Sequence, residues 1–282
     1  MVDSPVTGQP CDRIASVTMS GTGSEDREES GPTSTPPHSG HRPSPIFLAL
    51  VGGAIVSGWA LWSGIGPPAI MSFVFVLLFW IVSLSLHEFA HALVAYRNGD
   101  VSVVHRGYLT LDPLRYTHVV YSLVLPLVFL IAGGIGLPGG AVFINRAAIR
   151  TRFATSAVSA AGPLTNLAIA LVLALALGFR QGTSPFWFTL SFLLFLQVTA
   201  AVLNLLPVPG LDGFGIIEPY LSDRALAAVA PIAPFAIFGL FALLWVPAIN
   251  AAFFTAIIGL TSFLGVPSVF VGSGFALFRF WI

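Results

Sequence analysis

Five consecutive residues carry the densest chemistry in the chain: His87, Glu88, Phe89, Ala90 and His91. On a helix, residues four apart share a face, one turn above the other, so His87 and His91 can hold one metal ion between them. Glu88, one step on, points aside and can reach a water bound to that ion. H-E-x-x-H is the two-ligand, one-base pattern of zinc-dependent hydrolysis. The setting narrows the reading. The flanking residues are apolar, and an ionisable group at membrane depth is costly enough to mark a functional site by default. Two histidines with a glutamate between them are therefore read as a catalytic metal site rather than as packed structural histidines.

The elements that must position these groups are membrane spans. Of 282 residues, 56% are hydrophobic and 9% charged, whereas soluble domains carry about a quarter charged residues. A helix needs about 20 apolar residues to cross a bilayer, and the sequence offers several such runs. The formal net charge is zero, and no basic stretch is dense enough for a nucleic-acid partner. Cys11 is the single cysteine, which leaves no disulfide framework and no thiolate metal site. The fold class that follows is an all-α polytopic membrane protein with about six transmembrane helices.

Residues 1–44 are rich in Ser, Thr, Pro, Gly and acid, with too little apolar surface to offset the entropy of ordering, and are expected to form a disordered tail. A membrane domain is expected over 45–266, with spans at 45–66, 69–96, 154–177, 185–206, 225–246 and 249–266. The stretch 267–282 reads as an apolar, aromatic tail at the interface. Within the loop after the second span, 101–111 alternates like a strand around Gly107 and is compatible with a short β-hairpin. The apolar run 119–136 is short, broken by Pro126 and by Gly133-Gly134.

A zinc site takes at least three protein ligands and, when catalytic, leaves a fourth position open. The acids in or beside the later apolar runs are Asp212, Glu218 and Asp223. Asp212 follows a helix end broken by Pro207 and Pro209. Irregular backbone at membrane depth is tolerated only inside protein or against a water-filled cavity, which makes Asp212 the strongest third ligand. Both ligand sets lie near the C-terminal ends of their helices. Those helices must then run in the same direction, with an odd number of crossings between them. Of 119–136 and 154–177, the first is the weaker, and is expected to be re-entrant or interfacial. With the N-terminus inside, every arginine except Arg180 falls on one face, and positive residues mark the cytoplasmic side. The tail and the active-site side are thus expected to be cytoplasmic, in the cell membrane.

Taken together, these residues resemble the site-2 protease family of intramembrane zinc metalloproteases. The resemblance rests on His87-Glu88-Phe89-Ala90-His91, on Gly162-Pro163-Leu164-Thr165-Asn166, and on Asn204 through Gly213 with its Leu211-Asp212-Gly213. It covers roughly residues 69–215, the expected core. The resemblance implies one Zn2+ per chain held by His87, His91 and Asp212, and Glu88 as the catalytic acid/base. It implies Asn166 and Asn204 as polar residues that position substrate or stabilise developing charge. The implied activity is hydrolysis of a peptide bond in or near the transmembrane segment of a membrane protein substrate, by Glu-assisted attack of zinc-bound water. The implied substrate is a single-span protein already shortened by another protease. Phe214 departs from the pattern, since a second glycine often stands there. No loop is long enough for an inserted PDZ domain, and 267–282 is too short for a CBS module, so a minimal bacterial type is expected. The alternative function is a catalytically silent family member that acts as a membrane binding or regulatory protein.

Overall fold

The computed structural model describes residues 42–116, 128, 131 and 142–281. Among the described residues there are ten α-helices and no strand, and the chain is an all-α polytopic membrane protein. Four helices are long and apolar enough to cross a bilayer: α1 (Pro45–Trp62), α2 (Pro68–Arg97), α4 (Arg152–Gly178) and α5 (Pro185–Asn204). Between α2 and α4 lies the short α3 (Ser102–His105), and after α5 comes α6 (Asp212–Ile217). Two bent pairs complete the chain. Helix α7 (Asp223–Val229) meets α8 (Ala233–Leu244) at 62°, and α9 (Pro247–Phe263) meets α10 (Ser268–Phe278) at 114°, giving six spans if each pair counts as one.

Helix starts follow local chemistry. The Ser44 hydroxyl accepts from the Phe47 N–H at 3.1 Å, with Pro45 at the first helical position. Thr151 caps α4 the same way, accepting from the Ala154 N–H at 3.0 Å. Helix α2 has 30 residues, about 45 Å at 1.5 Å per residue. That exceeds the ~30 Å hydrocarbon core, so α2 must tilt or project beyond it, and His87 and His91 lie in its C-terminal half.

Helix α5 is the centre of the bundle. Every residue from Thr189 to Ala201 is buried, and α1, α2, α4, α9 and α10 all pack on it. In a bilayer, apolar surface gains little by leaving lipid, so small residues and interhelical hydrogen bonds do more of the holding. A Cβ on Gly58 of α1 would stand 3.0 Å from the Phe75 ring of α2, and one on Gly274 of α10 would strike the Phe188 carbonyl of α5. Ser72 and Thr189 share a hydrogen bond of 2.8 Å between α2 and α5, and such bonds contribute about 0.6 kcal/mol each.

Residues 101–111 do not form the expected β-hairpin. They form α3, then a 3₁₀ turn over Tyr108–Thr110, joined through Gly107 at φ 74°. The Asp100 carboxylate accepts from both the Ser102 N–H and its hydroxyl, at 3.0 and 2.6 Å, which starts a helix where a strand would begin. Val103, Tyr108 and Leu109 all bury against α2. The alternation therefore recorded burial on α2 and not a pleat. The stretch 267–282 forms α10 over most of its length, and Phe278 is fully buried. The expectations for 1–44 and 119–136 fall outside the described residues apart from 42–44, Val128 and Ile131.

Candidate metal centre

Helix α2 places the His87 and His91 rings on one face, both residues buried, with their Nε2 atoms 3.1 Å apart. Helix α6 brings Asp212 to the same point. Its Oδ2 lies 3.3 Å from His87 Nε2, and its Oδ1 lies 3.4 Å from His91 Nε2. Ligands about 2.0–2.1 Å from a tetrahedral zinc stand about 3.3 Å from one another. The observed separations match the edges of such a site, with each carboxylate oxygen facing one imidazole. Among the described residues this is the one group of three or more His, Cys, Asp or Glu side chains that can hold a metal ion. Two imidazoles and a carboxylate suit zinc.

The outer nitrogens of both rings are also occupied. His91 Nδ1 lies 2.7 Å from the Val158 carbonyl. A carbonyl only accepts, so Nδ1 carries the proton and Nε2 keeps its lone pair for a metal. His87 Nδ1 lies 2.5 Å from Asn166 Oδ1, which imposes the same tautomer. Val158 and Asn166 both belong to α4, whose backbone comes so close that a methyl on Gly162 would run into the Nε2 atoms of both histidines. Only glycine permits that approach.

Helix α4 holds the second half of the site as well. The Ser156 hydroxyl donates to the Ile216 carbonyl of α6 at 2.6 Å, and Gly215 of α6 lies so close to Ser159 that a Cβ there would clash with its hydroxyl. The connection from α5 to α6 folds back sharply, with Gly210 at φ 93° and with Gly213 where a Cβ would strike the Leu205 and Leu206 carbonyls. Glu88 is 2% exposed, and its Oε2 accepts from the Val142 N–H at 3.2 Å. The arrangement can therefore bind a divalent ion and set a buried proton acceptor beside it.

Comparison with known proteins bears on which chemistry this is. Rip2 of Mycolicibacterium smegmatis (strain ATCC 700084 / mc(2)155), named provisionally as a zinc metalloprotease, is 44% identical over 248 residues, covering 85% of this chain and 95% of its own length. Rip2 of Mycobacterium tuberculosis (strain ATCC 25618 / H37Rv), named likewise, is 46% identical over 250 residues, with the same coverage of 85% and 95%. YwhC of Bacillus subtilis (strain 168), also a provisionally named zinc metalloprotease, is 37% identical over 169 residues, 54% of this chain and 70% of its own. The chain belongs to the site-2 protease family of zinc metalloproteases. No family model matches it, and no solved structure matches it.

Within this site-2 protease fold, His87, His91 and Asp212 meet, and Glu88 sits beside them. Asn166 is 4% exposed and its amide is engaged at both ends, by His87 and by Gln197. Asn204 is buried in the last turn of α5, and among the described residues no hydrogen bond joins its side chain to the metal-binding group. Glu218, another acid beside the later apolar runs, pairs with Arg146 at the surface. Three contributors were missed from sequence: the Val158 carbonyl, the Val142 N–H and Gln197. The backbone groups carry no sequence signal. Gln197 does, as an amide within an otherwise apolar span, where interhelical hydrogen bonding is the usual reason for a polar side chain.

Proposed function

We propose that this zinc metalloprotease is an intramembrane endopeptidase that cuts a peptide bond in or near the transmembrane segment of a membrane protein substrate. The observation that carries the reading is the meeting of Asp212, on the short α6, with His87 and His91 of α2, a helix long enough to span a bilayer. The two imidazole Nε2 atoms and the Asp212 carboxylate would hold one zinc ion. Zinc in such a site supplies a nucleophile at neutral pH, by lowering the pKa of a water towards about 7, and polarises a carbonyl oxygen.

The remaining work falls to the chain's own residues. Glu88 takes the proton of the attacking water and passes it to the leaving amine, a role worth about 10²–10⁴ in rate. The Val142 N–H holds the Glu88 carboxylate through Oε2. Asn166 orients the His87 ring, and Asn204 is assigned to positioning the substrate or stabilising developing charge. A transmembrane helix hides its peptide bonds in its own ladder, so the substrate must unwind locally before attack. A single-span protein already shortened by another protease is the simplest such substrate. The tail and the active-site side are assigned to the cytoplasm on the distribution of arginines, within a membrane domain over 45–266.

A substrate trap tests this reading. Full-length Glu88→Ala is expressed, crosslinked in its membrane, and the captured protein identified and reconstituted with either form. Wild type should cleave it within its transmembrane region and Glu88→Ala should not. Cleavage by Glu88→Ala at the wild-type rate would rule out the mechanism. Failure of wild type to cleave any captured partner would favour a silent, binding member of the family.

A further inference from the structure

His91 and His87 are held in the metal-binding tautomer by different means. The Val158 carbonyl facing His91 is backbone and can only accept. The group facing His87 is an amide, and an amide can present either its oxygen or its NH2. Turned over, Asn166 would donate to His87 Nδ1, drive the ring proton to Nε2 and remove a metal ligand. Something must fix the orientation of Asn166.

Gln197 lies where it can do so. It is fully buried in α5, and its Oε1 accepts from Asn166 Nδ2 at 3.0 Å and from the Ser83 hydroxyl of α2 at 2.7 Å. Among the described residues, its own Nε2 is buried without a hydrogen-bond partner. Leaving a buried donor unmade is costly, yet this side chain uses its oxygen twice and its nitrogen not at all. The oxygen claims the Asn166 NH2, which leaves Asn166 Oδ1 for His87 Nδ1 and His87 Nε2 for the metal.

We propose that Gln197 is a positioning residue for the metal centre: held by Ser83, it fixes the Asn166 amide and through it the metal-binding tautomer of His87. The sequence of contacts runs Ser83, Gln197, Asn166, His87 and links α2, α5 and α4. This rests on the reading of His87, His91 and Asp212 as zinc ligands. Groups that orient a ligating histidine typically change metal affinity about 10–100-fold when removed.

The test is a double-mutant cycle on the full chain in lipid nanodiscs. It measures Zn2+ affinity by chelator competition and the visible absorption of bound Co2+. Gln197→Met keeps length and bulk but has no oxygen acceptor. Asn166→Asp has no NH2 to misplace, so its oxygens meet His87 Nδ1 whatever Gln197 does. Gln197→Met alone should weaken Zn2+ binding about 10–100-fold and shift the Co2+ bands. In the Asn166→Asp background the same change should act within about twofold, the scatter of uncoupled sites. Wild-type affinity in Gln197→Met, or an equal loss in both backgrounds, would overturn the proposal. If Gln197→Met does not fold, Ser83→Ala removes the donor that holds Gln197 and should give the same pattern at smaller amplitude; an equal loss in both backgrounds again overturns it. His87→Ala is run alongside. If it binds Zn2+ like wild type, the ligand reading itself fails, an outcome separate from failure of the role of Gln197.

Discussion

At the scale of single residues, Gly162 is the glycine on which the metal-binding face depends. It lets the α4 backbone touch both imidazoles, and a methyl there would occupy the space of their Nε2 atoms. Gly162→Ala should therefore lower Zn2+ affinity at least about 10-fold, the scale of outer-shell disruptions, with the helical content of the protein unchanged. Circular dichroism beside a zinc titration checks both halves of that expectation. The pair His87 and His91 was legible from spacing alone, because a four-residue interval has one meaning on a helix. Asp212 was legible by elimination among few acids. Gln197 was not. Its role depends on Ser83 and Asn166, which lie on two other helices, and periodicity along one helix says nothing about partners on another.

At the scale of elements, α4 is the clamp that makes two distant pieces of sequence one site. One face meets the histidines of α2 through Val158, Gly162 and Asn166, while Ser156 and Ser159 meet α6. His87 and His91 lie towards the C-terminal end of α2, and Asp212, on α6, follows the C-terminal end of α5, so α2 and α5 are expected to run in the same direction, with one net crossing between them. Reporter fusions at Gly140 and Thr183, before and after α4 in the sequence, should report opposite sides of the membrane. The same side for both would contradict α4 as the one crossing between α2 and α5, and with it the re-entrant assignment of 119–136. The long helices were legible because apolar length has one physical explanation in a chain this hydrophobic. The segment 101–111 was misread because alternation over a few residues also arises when two short turns bury Val103, Tyr108 and Leu109 on a helix. Asp100, whose carboxylate starts α3, was the overlooked signal.

At the scale of the whole molecule, the bundle is organised around α5 and not around the metal. Side chains from α1, α2, α4, α9 and α10 enclose α5, and of these helices only α2 supplies ligands. Stripping zinc with a chelator should therefore abolish cleavage while leaving the helices assembled. The stability lost follows mass action, about 4 kcal/mol when free zinc exceeds its dissociation constant 1,000-fold. Thermal unfolding with and without chelator measures it. Global unfolding on chelation would mean that the metal, and not α5, holds the spans together.

The central claim is that one zinc ion sits between α2 and α6, held by His87, His91 and Asp212. X-ray absorption at the zinc edge of the purified full chain tests it most directly, with wild type compared against Asp212→Ala. Wild type should show two imidazoles and oxygen donors at about 2.0–2.2 Å and no sulfur, and Asp212→Ala should lose the metal or one oxygen ligand. An identical spectrum and zinc content in Asp212→Ala, or a site with fewer than two imidazoles in wild type, would contradict the account.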